Sequence, residues 1–229
     1  MSSITLNLKN VTADLKEGTR LVAISKYHPA ESIQEAYDAG QRIFGESHVQ
    51  ELMAKQQTLP ADIEWHFIGP LQTNKVKYIA PFISLIHAVD TPKLLRELNK
   101  QGEKNERVLH CLLELHIATE ETKYGFSPEE LTAYLETDEW TTLKYVSIDG
   151  LMCMATNTED EEQIRSEFRR AKSIYDDVRA RFFATQPSFC ELSMGMSHDY
   201  PIAMEEGSTL IRVGSKIFGE RVYDAKENS

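Results

Sequence analysis

The sequence predicts a closed parallel α/β barrel, and three observations carry that expectation. Eight short apolar runs alternate with amphipathic or charged stretches, near 20–25, 42–45, 64–68, 84–88, 107–117, 144–151, 188–194 and 209–213. Alternation at that spacing belongs to parallel βαβ units. No Gly-rich dinucleotide fingerprint or Walker loop follows any of the runs, which weighs against an open doubly wound sheet. Two glycine-bearing turns able to grip an anion follow runs seven and eight, where (β/α)₈ barrels often build a phosphate site.

The helical segments fall between the runs: Pro29 to Gly40, Ser47 to Gln57, Thr73 to Ile79, Thr91 to Gln101, Ser127 to Leu135, Thr158 to Phe183 and Tyr200 to Glu206. Ser127-Pro128-Glu129-Glu130 combines an N-cap, a first-turn proline and an acid at the third position, and Thr91-Pro92 and His28-Pro29 place proline alike. Room remains before residue 20 for one extra helix. With 229 residues, one barrel domain over 1–229 is the economical reading.

Composition narrows the partners. A formal net charge of -11 repels polyanions and argues against nucleic acid and anionic membranes, while leaving room for a local cationic pocket. The opening residues lack a signal-peptide pattern, and no apolar run approaches the roughly 20 residues that span a bilayer, so a cytoplasmic location is expected. Cys111, Cys153 and Cys190 are odd in number and widely separated, which suits buried reduced thiols and no metal site.

In a parallel barrel the residues just after each strand converge on one face. Lys26 follows Leu21-Val22-Ala23-Ile24-Ser25 there. A partly desolvated lysine loses its proton readily and can form a Schiff base with a carbonyl compound, although a solvated surface position is the ordinary fate of lysine. Ser193-Met194-Gly195-Met196-Ser197 and Arg212-Val213-Gly214-Ser215 supply backbone N–H groups, hydroxyls and small residues for a phosphate. A lysine and a phosphate cup together point to a phosphorylated aldehyde, of which pyridoxal phosphate is the leading candidate. Arg212 lies inside the last strand, where it either faces a heteroaromatic nitrogen or forms an ion pair, Glu114 being one candidate partner. His110, Leu112, Glu114 and His116 share one face of the fifth strand, and Met152, Met154, Met194 and Met196 read as packing.

The motifs resemble the pyridoxal phosphate homeostasis proteins over nearly the whole chain. The resemblance rests on Ala23-Ile24-Ser25-Lys26, on Phe44-Gly45-Glu46-Ser47-His48-Val49-Gln50-Glu51, and on Trp65-His66-Phe67-Ile68-Gly69-Pro70-Leu71-Gln72-Thr73-Asn74-Lys75. Further matches are Lys123-Tyr124-Gly125, Gly150-Leu151-Met152, Leu192 to Ser197 and Arg212 to Gly219. It implies a barrel similar to the N-terminal domain of alanine racemase, with Lys26 as the Schiff-base lysine, phosphate contacts from Ser193, Gly214 and Ser215, and Arg212 facing the pyridine nitrogen. Lys123 matches a second lysine associated with cofactor handling. Ser47 stands where the family often has asparagine, so a contact there would run through water. The candidate cofactor-binding residues are thus Lys26, Ser47, His66, Lys123, Ser193, Met194, Arg212, Gly214 and Ser215.

The resemblance further implies a carrier that buffers pyridoxal phosphate in vitamin B6 balance, with apo-enzymes as recipients and no established turnover. Two-base racemisation draws one base from a second domain in alanine racemase, and the chain ends 16 residues past its eighth run, so a carrier is expected; with no obvious obligate interface in the sequence, a monomer is expected. The alternatives are a racemase-like enzyme and, further behind, a sugar-phosphate aldolase.

Overall fold

The structure, a computed structural model, describes residues 2–118 and 124–219. Eight strands close into a barrel in the order of the chain: β1 (Arg20–Ile24), β2 (Ile43–Glu46), β3 (Glu64–Phe67), β4 (Leu85–Val89), β5 (Leu109–His116), β6 (Val146–Met154), β7 (Glu191–Ser193) and β8 (Leu210–Val213). Every neighbouring pair is parallel, and β8 closes on β1 with Leu21 opposite Ile211 and Ala23 opposite Val213. The alternating runs therefore do mark the strands of a closed (β/α)₈ barrel.

Helices α2 (Ala30–Asp38), α3 (Val49–Thr58), α4 (Val76–Ile79), α5 (Pro92–Lys104), α6 (Pro128–Leu135), α7 (Glu161–Phe182) and α8 (Tyr200–Glu205) connect successive strands. The extra helix α1 (Ser3–Ala13) precedes β1, and a short α9 (Ser215–Phe218) follows β8. Asn7 of α1 donates to the carbonyl of Ile217 at 3.2 Å, fastening α9 to the outside of the barrel.

Two apolar clusters follow from the period-two alternation of strands. Ala23, Phe44, Trp65, Phe67, Ile86, Leu113, Leu151, Leu192 and Ile211 pack outward against helix residues such as Ile33, Leu52, Leu95, Leu131 and Phe168. Apart from the small Ala23, each of these buried side chains contributes roughly 1.5–3 kcal/mol by leaving water. Val22, Ile24, Leu85, Ala88, Leu112, Met152 and Leu210 form the second cluster, inside the barrel.

Several boundaries differ from the sequence reading. Strand β6 runs to Met154, because Met152, Cys153 and Met154 pair with Glu114, Leu115 and His116 of the long β5. Strand β7 has three residues, the preceding Phe189 being used to stack on Phe183, with ring centroids 4.1 Å apart. Pro29 is the cap of α2 rather than a first-turn residue, and no side chain caps that end. Cys111 and Cys153 are buried, whereas Cys190 is exposed just ahead of β7.

The capping box at α6 is present as the sequence suggests: Ser127 Oγ accepts from the Glu130 amide at 3.1 Å while the Glu130 carboxylate accepts from the Ser127 amide at 2.8 Å. Ser127→Ala removes one half of this exchange. A loss of about 1 kcal/mol is expected, read as a lower denaturant midpoint at unchanged slope.

Candidate functional site

Lys26 stands two residues past the end of β1, half-buried, at the mouth of the barrel. The chain turns sharply behind it: Tyr27 adopts φ 65°, a left-handed conformation that costs a residue with a Cβ roughly 1–2 kcal/mol. The Tyr27 amide donates to Glu51 Oε1 at 2.7 Å, which offsets part of that cost. Tyr27 and Ser47 both reach His48, through Oη···Nε2 at 3.4 Å and Oγ···Nδ1 at 3.2 Å, and these side chains form one rim of the opening.

The opposite wall is made where the turns after β7 and β8 interlock. The Gly214 amide donates to Ser197 Oγ at 3.1 Å, so the Ser197 hydroxyl hydrogen is left to donate elsewhere. Glycine at 214 lets the turn approach β1 closely, since a Cβ there would make a tight contact of 3.1 Å with the Ile24 carbonyl oxygen. Asp199, fully buried, accepts from the Met196 amide at 2.5 Å and holds the first turn in shape. His28 stacks on Phe218 with centroids 5.1 Å apart, tying the turn after β1 to α9.

Between these walls lies a cleft of about 770 Å³, lined among others by Lys26, Tyr27, Ser47, His48, Glu114, Ser197, Arg212, Gly214 and Ser215. That volume is in the range of ordinary small-molecule sites. Its chemistry is mixed: an amine at one end, hydroxyls and backbone amides at another, and a guanidinium and a carboxyl on the floor. Burial, reinforced by Asp90 and opposed by Arg212, pushes the Glu114 carboxyl up to about 7.

Arg212 also anchors a polar chain within the barrel. It donates to Ser193 Oγ at 2.6 Å and to the Cys153 carbonyl at 2.9 Å; Ser193 Oγ is 2.9 Å from His87 Nδ1, and His87 Nε2 is 2.9 Å from His66 Nδ1. All four side chains are buried. Burial pulls the His66 imidazole down to about 3, with the charge of Arg20 acting in the same direction. His87 is driven well below its ordinary value by burial, then by His66 and Arg212. Two neutral rings can relay hydrogen bonds in a fixed order, and this relay fixes the guanidinium through Ser193.

Five of the candidate residues thus share the cleft: Lys26, Ser47, Arg212, Gly214 and Ser215. His66, Ser193 and Met194 lie outside its lining. The Ser193 hydroxyl is taken up by Arg212 and His87, His66 sits one step further along the same chain, and Met194 packs in the outer core with no exposure. The hydroxyl that does reach the cleft from this turn is Ser197. Lys123 lies outside the described residues. Arg212 forms no ion pair with Glu114 among the described residues; its partners are the neutral Ser193 and Cys153 groups. His110 pairs with Asp149 at 2.7 Å near the start of β5, while Glu114, on the same strand, reaches the cleft.

The sequence profile of the alanine racemase N-terminal domain matches residues 1–222. The pyridoxal phosphate homeostasis protein of Aquifex aeolicus is 42% identical over 206 residues, covering 89% of this chain and 88% of that protein. Its namesake in Schizosaccharomyces pombe is 37% identical, over 88% of this chain and 84% of that one. PipY of Synechococcus elongatus, 36% identical, has been solved without PLP and with PLP bound; these structures superpose with TM-scores of 0.87 and 0.85 over 94% of this chain and 100% of theirs. An alanine racemase from Clostridium difficile superposes with a TM-score of 0.75 at 12% identity, over 97% of this chain and 58% of the enzyme, a likeness of fold alone. With its barrel, its cleft and this degree of identity, the chain belongs to the family of pyridoxal phosphate homeostasis proteins, built on the alanine racemase N-terminal fold.

Proposed function

We propose that this protein binds pyridoxal 5′-phosphate as a Schiff base on Lys26 and serves in its homeostasis, buffering the cofactor and passing it on. The observation that carries the reading is the meeting of Lys26, Ser197, Arg212 and the Gly214–Ser215 turn in one cleft. The donor set fits the cofactor: a lysine for the aldehyde, hydroxyl and backbone donors for the phosphate, and a guanidinium for the ring nitrogen. The 36% identical PipY, solved with PLP bound, supports the same assignment.

Bound pyridoxal phosphate supplies an electrophilic aldehyde and an electron-accepting ring. The protein's residues hold it. Ser197 donates toward the anion while it accepts from Gly214, and Ser215 adds a hydroxyl from the exposed start of α9. Arg212 keeps its proton at every physiological pH and donates to a ring nitrogen, which leaves that nitrogen unprotonated and weakens the ring as an electron sink. That favours storage over turnover at the α-carbon. Ser47, shorter than an asparagine, contacts the cofactor through water. In this reading the chain acts as one barrel domain, 1–229, in the cytoplasm and as a monomer, with apo-enzymes as recipients. No helix among the described residues is long and apolar enough to cross a membrane.

The test is to load the protein with pyridoxal phosphate, reduce with borohydride and map the modified peptide. A pyridoxyl group on Lys26, absent in Lys26→Ala, is the expected result; a group on another lysine, or none, overturns the reading. Exchange of α-deuterium in free amino acids by the loaded protein, abolished in Lys26→Ala, would move the assignment to a racemase-like enzyme.

A further inference from the structure

Behind Lys26, on the side away from the cleft, lies a buried ionic cluster. Lys55 of α3 is 6% exposed, and its ammonium donates to the Ser25 carbonyl at 2.8 Å, to Glu46 Oε1 at 2.7 Å and to Glu51 Oε1 at 2.7 Å. Three donors meet three acceptors, so the ammonium has no proton left for any other partner. Glu46, the last residue of β2, is fully buried and also accepts from Ser25 Oγ at 2.7 Å. Glu51 accepts from the Tyr27 amide as well. The two backbone groups that bracket Lys26, the carbonyl before it and the amide after it, are therefore both held by one helix, through Lys55 and Glu51.

A cluster of this kind is an expensive way to attach a helix. Taking an ammonium and carboxylates out of water costs several kcal/mol per ion, and apolar residues of the same volume commonly pack as stably. What apolar residues cannot do is fix two particular backbone groups, one on each side of Lys26, next to the left-handed residue Tyr27. The direction in which the Lys26 side chain leaves the strand depends on that turn, and a displacement of about 1 Å at a reacting group is enough to cost on the order of a hundredfold.

Resting on the Schiff-base reading above, we propose that Lys55 and Glu51 are positioning residues for Lys26, clamping the chain on both sides of it so that its amine meets an aldehyde carbonyl in the cleft. Neither side chain lines the cleft, so neither touches the ligand. Their effect is confined to the bond Lys26 makes.

Two ligands separate this from a general structural role: pyridoxal 5′-phosphate, and pyridoxine 5′-phosphate, which has the same ring and phosphate but an alcohol in place of the aldehyde. Glu51→Ala deletes the acceptor for both Tyr27 and Lys55 at a partly exposed position. Its affinity for pyridoxal 5′-phosphate should fall by about tenfold or more, while that for pyridoxine 5′-phosphate stays within about twofold. Glu51→Gln, which keeps an oxygen at the same place, should recover most of the loss. Lys55→Met should follow Glu51→Ala in the same assay if it folds. Unchanged aldehyde affinity in Glu51→Ala, or equal losses for both ligands, overturns the proposal. The Schiff-base reading fails separately, and this proposal with it, if the unmodified protein shows no preference for the aldehyde over the alcohol or if Lys26→Ala retains that preference.

Discussion

Gly150→Ala should abolish the folded barrel. Gly150 lies in β6, opposite Leu112 of β5 and Glu191 of β7. A Cβ built there falls 1.8 Å from the Glu191 carbonyl oxygen and 2.6 Å from its carbon, both backbone atoms that no rotamer change can move aside. The backbone at Gly150, φ 156°, is also uncommon for a residue with a Cβ. Relief requires β7 to move away, and β7 is short and tied on both sides: three residues, paired with β6 at Glu191, Leu192 and Ser193 and with β8 at Ser193 and Leu210, with Leu192 also accepting from the Thr209 amide at 2.9 Å. Opening that seam would also part Ser193 from His87 and Arg212, leaving buried polar groups without partners. The expected cost exceeds about 4 kcal/mol, the tail of the distribution for single substitutions, and the variant should be recovered insoluble or without a cooperative unfolding transition. Gly40→Ala is the control: φ is 109° but nothing lies within 4 Å of the added Cβ, so only backbone strain of about 1–2 kcal/mol is expected. A folded Gly150→Ala protein with the melting temperature of Gly40→Ala would mean that β7 slides without penalty.

The barrel was legible because each strand is short, apolar and followed by a change of period, and because closure brings the residues after the strands to one face. Lys26, Gly214 and Ser215 could be gathered into one cleft on that basis. What could not be read is which of several neighbouring polar residues points where. Ser193 and Ser197 both carry hydroxyls in one glycine-bearing segment; the first is the last strand residue and faces the barrel, the second is past the turn and faces the cleft. His66 and His87 are 21 residues apart, and His87 and Ser193 are 106 apart, yet they form one hydrogen-bonded chain. No local pattern signals such a chain, since it depends on the stagger between strands. Lys55 was hidden for another reason. It sits in the helix Val49–Thr58, where a lysine reads as part of a solvated face, and only the approach of the Ser25 and Glu46 acceptors shows it to be buried. The short α9 has too few residues to display a helical period, and only its first residue, Ser215, belongs to the anion-binding turn that the sequence suggests.

The buried groups of the barrel should also give the stability a two-sided dependence on pH. Glu114 is raised from 4.5 to about 7, chiefly because its buried charge is poorly solvated, so from pH 4.5 upward the folded protein holds a proton that the unfolded chain has released. Its contribution is fully present below pH 4.5 and is lost as pH rises through 7; a displacement of that size corresponds to about 3 kcal/mol. Glu46, raised to about 7 mainly by burial and held back by Lys55, acts in the same sense. His66 acts in the opposite one. Lowered from 6.5 to about 3 by burial, it stays neutral in the folded protein while the unfolded chain takes up a proton, so its contribution is present above pH 6.5 and is lost as pH falls toward 3. His87, lowered by the same cause, adds to that loss. Between about 4.5 and 6.5 the carboxyls and the imidazoles oppose each other, and the stability of the unmodified protein should be nearly flat there, falling on the acid side. Glu114→Gln separates the two sides. Glutamine keeps the shape and does not titrate, so the stability of the variant relative to the unmodified protein should rise by about 3 kcal/mol between pH 4.5 and pH 7.5, measured by denaturant unfolding at each pH without ligand. The comparison across pH cancels whatever the amide itself costs. A difference that stays constant over this range would place Glu114 in contact with solvent and ionised at neutrality, and the floor of the cleft would then carry a full negative charge beside Arg212.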